Sequence, residues 1–148
     1  MKVIDRMEKI LSNALQTQEF GGLIGAAHVP GTSITLEGQI GAGKTTFARG
    51  FLRSLNYEGH VKSPTFTLIE YYEFESYSLF HIDLFRVNDV SELDYLGLDA
   101  YSKNKITYLI EWPKFDLEFM SKVDLNINFK VSDKGRERVA SIAAYTQE

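Results

Sequence analysis

Eight residues carry the chain's most specific chemical signal: GQIGAGKT, from Gly38 to Thr45. They satisfy the spacing G-x-x-x-x-G-K-[ST] through Gly38, Gly43, Lys44 and Thr45. Such a turn lets successive backbone N–H groups converge on an anion. Here the N–H groups of Gly41, Ala42, Gly43, Lys44, Thr45 and Thr46 form the cradle. A helix that starts inside the loop adds its positive end to the same point. Lys44 then reaches the β- and γ-phosphates of a nucleotide, and the Thr45 hydroxyl serves Mg²⁺. An accidental lysine in a glycine-rich turn is the competing reading, and the flanking elements argue against it.

Such a metal needs an acidic partner, normally at the end of an apolar strand. Two residues qualify. Glu111 ends TYLIE and Asp83 ends LFHID. The residues alone leave open which of them ligates and which orients water. Lys62-Ser63-Pro64-Thr65 offers hydroxyls in a loop of the kind that senses a γ-phosphate. It reads equally as the turn that opens a strand. His81 reads as a half-buried strand residue, and Trp112 as a core or site wall.

The elements that must place these groups follow from pattern. Ser33 to Glu37 is a β-branched strand and Lys44 to Leu55 a helix, so the loop sits between strand and helix. Met7, Ile10, Leu11 and Leu15 recur at spacings of three and four, which predicts an amphipathic helix over residues 4–15. Thr17 to Ala27 predicts a second helix, capped at or just before Thr17. The runs VKSPTFTLIEYYEF (Val61 to Phe74) and SYSLFHIDLFRV (Ser76 to Val87) predict an antiparallel hairpin. Asp89 to Tyr101 predicts a helix with Ser91 as cap. Lys105 to Trp112 is a nearly continuous apolar strand of the doubly covered kind. Two further strands flank the turn at Asp133 to Gly135. The sum is an α/β fold with a mixed, partly parallel sheet and antiparallel hairpins.

Bulk composition narrows the class. The 148 residues are 44% hydrophobic and 24% charged, which suits one globular domain over residues 1–148. No apolar run is long enough to span a bilayer, and no signal peptide is evident. No cysteine is present, which excludes disulfides and thiolate metal sites. These features predict a cytoplasmic protein with no membrane partner. The net charge of −4 disfavours autonomous nucleic-acid binding. The base-reading N-K-x-D of GTPases is missing, so ATP is preferred. No arginine-bearing lid is evident, which disfavours a small-molecule kinase transferring the γ-phosphate to an acceptor. A module that regulates by nucleotide binding alone is a third reading.

GQIGAGKTTFARGF, VKSPTFTLIEYY, HIDLFR, ELDYLGLDAY and ITYLIEWP follow one another in order and at tight spacing. Together they resemble the TsaE (YjeE) family, over about Thr17 to Arg138. The resemblance implies a P-loop NTPase-like three-layer fold and a weak Mg²⁺-dependent ATPase binding ATP and ADP. It implies a role in forming threonylcarbamoyl-adenosine at position 37 of tRNAs that read codons beginning with A. The partners it implies are TsaB and TsaD, with TsaD carrying the transferase site and tRNA met through the complex. By position, Lys44 and Thr45 match the family's phosphate and Mg²⁺ residues. Glu111 matches its acidic metal-site residue, and Asp83 the aspartate of H-x-D. Lys62 to Thr65 matches its switch-like loop, and Thr17 with Gly21 an element near the base. Arg136 falls in a C-terminal segment that approaches the nucleotide. One departure is Gln39, where the family commonly carries an acid.

Overall fold

The computed structural model describes residues 2–39, 41–57, 68–96, 105–114, 122–133 and 135–146. Its frame is a sheet of seven strands. These are β1 (Val3–Leu11), β2 (Ser33–Glu37), β3 (Ile69–Glu73), β4 (Tyr77–Asp83), β5 (Lys105–Glu111), β6 (Leu125–Val131) and β7 (Arg138–Tyr145). Their spatial order is β1-β7-β6-β2-β5-β4-β3. The centre is parallel: β2 runs with β5 and β6, and β5 with β4. The flanks are antiparallel, β3 on β4 at one side and β6–β7–β1 at the other. The expected mixed sheet is therefore present, with its parallel strands at the middle where burial is greatest.

β2 has Ser33 to Leu36 buried, and every residue of β4 is buried. Their continuous apolar character follows from cover on both faces. One face carries Phe20, Phe47, Phe51, Leu79, Leu109 and Phe129 beneath the helices α1 (Ala14–Ala27) and α2 (Lys44–Ser54). The other gathers Phe80, Ile82, Leu84, Tyr108 and Ile110, with Leu93 from a 3-10 turn over Val90–Leu96.

Three sequence expectations change. Residues 4–15 do not form a helix, because β1 occupies Val3–Leu11 as an edge strand on β7. The spacing of four between Met7 and Leu11 places both on one face of a strand as readily as on one face of a helix. Ile10, which alone distinguished the two periods, is 63% exposed. Helix α1 starts three residues before Thr17. Asn13 is its cap and accepts from Gln16 N at 2.9 Å. The expected helix from Asp89 is a 3-10 segment as far as Leu96, and Asp89, rather than Ser91, supplies the capping oxygen, accepting from Ser91 N at 2.9 Å. Residues beyond Leu96 in that run lie outside the described residues, as does Lys62 to Thr65.

Helices α1 and α2 cross at backbone distance. A Cβ on Gly21 would collide with the Phe47 carbonyl, and one on Gly50 with that of Gln18. Gly21 thus serves the helix crossing that positions the loop. A Cβ on Gly22, by contrast, would meet nothing nearer than 3.6 Å. Gly50→Ala should therefore destabilise the chain by about 1–3 kcal/mol through overpacking. Gly22→Ala should be neutral or stabilising by up to about 1 kcal/mol, from helix propensity. Urea unfolding of the two variants measures the contrast.

Candidate functional site

The C-terminal ends of β2, β5 and β4 lie side by side. Leu36 stands opposite Glu111, and Glu111 opposite Asp83. In parallel sheets this edge is where ligands bind. From it the chain leaves β2 through Gly38–Gly43 and enters α2. Gly43 is the helix N-cap at φ 118°, and Gly38 sits at φ 141° with Phe129 O 2.5 Å from where a Cβ would be. Both positions require glycine. The first turn of α2 contains no acidic side chain, so its N–H groups and positive end are uncompensated.

Lys44 is 5% exposed. Its Nζ donates to the carbonyls of Gly38 and, at 3.2 Å, Gln39, and lies 4.2 Å from the centre of the Trp112 ring. Burial lowers its proton affinity, while Glu111 and Asp83 oppose that shift. Asp83 is 7% exposed and Glu111 3%. Burial pushes the Asp83 carboxyl above the usual carboxylate range, and the charge of Glu111 adds to this. The Phe85 N–H donates to Asp83 Oδ1 at 2.9 Å and pulls the other way. Glu111 Oε2 meets His81 Nε2 at 2.6 Å. The two carboxylates that the sequence left as alternatives are strand neighbours on one edge.

A groove of about 400 Å³ runs over this edge, lined by Gly41, Gly43, Lys44, Thr45, Thr46, Asp83, Phe85, Arg86, Glu111 and Trp112. Trp112 holds φ at 57°, in the left-handed region, just after Glu111. This costs about 1–3 kcal/mol and turns the indole over Lys44. Its N–H is retained by Leu36 O at 3.1 Å, and its ring packs on Phe85 at 4.8 Å. A second hollow of about 130 Å³ continues past the loop, lined by Asn13, Ala14, Thr17, Gly41, Gly43, Thr46, Arg136 and Arg138. Thr17 and Arg136, far apart in sequence, both line it. Ala42 is fully buried, so it serves the loop by its backbone. Gln39 is exposed in a separate open hollow with Pro113 and Lys114.

Two residues of this region escaped the sequence reading. His81 is fully buried rather than half-buried, and it holds Glu111. Its spacing of two from Asp83, which puts both on one strand face, was the available signal. Arg138 donates from Nη2 to Gly41 O at 3.2 Å, bracing the loop from β7. No local pattern distinguished it from Arg136.

The oxygen-rich set of Thr45, Asp83 and Glu111 fits a hard cation such as Mg²⁺. That ion is commonly held by one or two carboxylates with phosphate oxygens and water. A self-contained cage is not required, and among the described residues no cluster of three or more His, Asp or Glu forms one.

Fold and edge together define a class: an α/β protein with a mixed, partly parallel sheet, whose glycine-rich strand-to-helix turn lies beside two strand-end carboxylates. The sequence model of the threonylcarbamoyl adenosine biosynthesis protein TsaE matches residues 11–139. The chain belongs to the TsaE family. A Bacillus subtilis protein named tRNA threonylcarbamoyladenosine biosynthesis protein TsaE is 40% identical over 126 residues, covering 84% of this chain and 78% of that one. The Haemophilus influenzae protein of the same name is 37% identical over 103 residues, covering 70% of this chain and 65% of its own, just under two thirds. The crystal structure of Bacillus subtilis YdiB superposes with a TM-score of 0.75 at 29% identity, covering 99% of this chain and 90% of that one. Among the described residues no helix is long and apolar enough to cross a membrane.

The raised Asp83 carboxyl has a stability consequence. The folded chain holds this proton more tightly than the unfolded chain does. The penalty is absent at low pH, where both states are protonated, and is full above the folded value. Asp83→Asn should therefore stabilise the nucleotide-free chain at pH 7. The gain should vanish as pH falls below the ordinary carboxylate range. Thermal unfolding across pH measures it.

Proposed function

We propose that this chain is a Mg²⁺-dependent ATPase that serves tRNA threonylcarbamoyladenosine formation, acting with TsaB and TsaD. The observation that carries the reading is the convergence of Lys44, Asp83 and Glu111 at one strand edge, under the open N-terminus of α2. Family membership supports the pathway. The partners and their roles are an inference from that family.

In this reading the N–H groups of Gly41 to Thr46 hold the α- and β-phosphates. Lys44 leaves the Gly38 and Gln39 carbonyls to meet the β- and γ-phosphate oxygens. The Thr45 hydroxyl, Asp83 and Glu111 hold the metal and its water shell. When bound, Mg²⁺ neutralises charge developing on the transferred phosphoryl group. His81 fixes Glu111, and of Asp83 and Glu111 one would ligate the metal and the other orient water. Phe85 and Trp112 limit bulk water at the γ-phosphate. Thr17, Arg136 and Arg138 line the side where ribose and base extend. The product leaves as free phosphate, because no acceptor-binding lid is evident in the sequence.

Purified chain supplied with γ-labelled ATP should release label only as inorganic phosphate, slowly alone and faster with TsaB and TsaD. Label transferred to another molecule would establish a kinase instead, and equal turnover with and without the partners would remove them from the account. Lys44→Ala should abolish turnover. Glu111→Gln and Asp83→Asn should each slow it by about 10²-fold or more while ATP still binds.

A further inference from the structure

We infer that β1 is a self-pairing edge, and that two copies of the chain join through it into one continuous sheet. β1 is the outermost strand, and among the described residues it pairs with β7 alone. It spans nine residues without proline, with a β-bulge between Val3 and Asp5, so that its regular pairing runs from Asp5 to Leu11. Of the exposed large hydrophobic residues, Val3, Ile4, Met7 and Ile10 all lie on it, and Ile4 and Ile10 are 66% and 63% exposed. An exposed edge strand that carries apolar side chains is a template for another strand.

The order of the residues specifies which strand. VIDRMEKIL is complementary to its own reverse about Met7. An antiparallel pair of copies centred there places Arg6 opposite Glu8 of the second copy, and Asp5 opposite Lys9. Met7 falls opposite its own copy, while the bulge takes Val3 and Ile4 out of this register. Each charge pair occurs twice by the two-fold symmetry, as an isologous interface requires. Directly opposed residues share a face, so each of the four charges meets its opposite. Among the described residues none of these side chains forms an ion pair within the chain. Arg6 faces Ala143 across β7, Glu8 faces Ser141, Asp5 faces Ala144 and Lys9 faces Ala140. Asp5 gives one oxygen to the Arg6 N–H at 2.9 Å and has the other for the second copy's lysine. Edge charges usually block pairing, but here their order permits pairing with a copy of the same strand.

The groove over the ends of β2, β5 and β4 lies beyond β7 and β6 from the outer edge of β1, so the joint leaves that groove open. Sedimentation velocity of the full chain over a micromolar dilution series tests the inference. The wild type should sediment as a monomer–dimer equilibrium. Glu8→Arg places like charges opposite each other twice and should weaken dimerisation by about tenfold or more. Arg6→Glu combined with Glu8→Arg restores both pairs with reversed sign and should restore the dimer. The neutral partners on β7 keep the fold indifferent to either change, and circular dichroism verifies that. A wild type that stays monomeric at the highest concentration overturns the inference. So does a dimer insensitive to Glu8→Arg, or a double variant no more dimeric than the single one.

Discussion

A buried ammonium and two buried carboxylates at one strand edge are the constraint on which the structure depends. Taking three charges out of water is costly unless each finds a partner. Lys44 borrows the Gly38 and Gln39 carbonyls and the Trp112 ring, Asp83 borrows the Phe85 N–H, and Glu111 takes His81. These are backbone groups, an aromatic face and a neighbouring histidine, and none is an ion pair between Lys44 and a carboxylate. The opposing charges stand close enough to influence one another while both sides of the groove stay accessible. A phosphate chain with its cation is the kind of ligand that complements such an arrangement, with negative oxygens toward Lys44 and α2 and positive charge toward Asp83 and Glu111.

The rest of the fold holds that geometry. Parallel pairing aligns the ends of β2, β5 and β4, so that Leu36, Glu111 and Asp83 fall in one row. The backbone-close crossing of α1 and α2 sets the height of the loop, and Arg138 braces it from β7. The left-handed turn at Trp112 is strained, and the Leu36 carbonyl and the Phe85 ring hold it in place. Strain of this kind concentrates where side chains must be presented rather than buried.

Much of this was legible in the sequence, for local reasons. Gly38 to Thr45 carries its own motif, Ser33 to Glu37 its β-branched residues, and the run ending at Glu111 the continuous apolar composition of a doubly covered strand. What could not be read depends on pairing between distant segments. Whether Met7 and Leu11 belong to a helix or a strand is decided by β7, more than 120 residues later. The role of His81 depends on register with a strand that places Glu111 30 residues away. The contact of Arg138 spans 97 residues to Gly41. The hairpin was visible, but not that its second strand would also run parallel to β5, which turned two rival carboxylates into neighbours.

Trp112 is the chain's one tryptophan and lies against the lysine that a nucleotide would claim. Its intrinsic fluorescence, followed while ATP is titrated with Mg²⁺ and again with the metal chelated, therefore reports directly on the central claim. Binding of Mg·ATP at this edge should produce a saturable change in emission, reached at lower nucleotide concentration when Mg²⁺ is present. Emission that stays unchanged at millimolar Mg·ATP would contradict it.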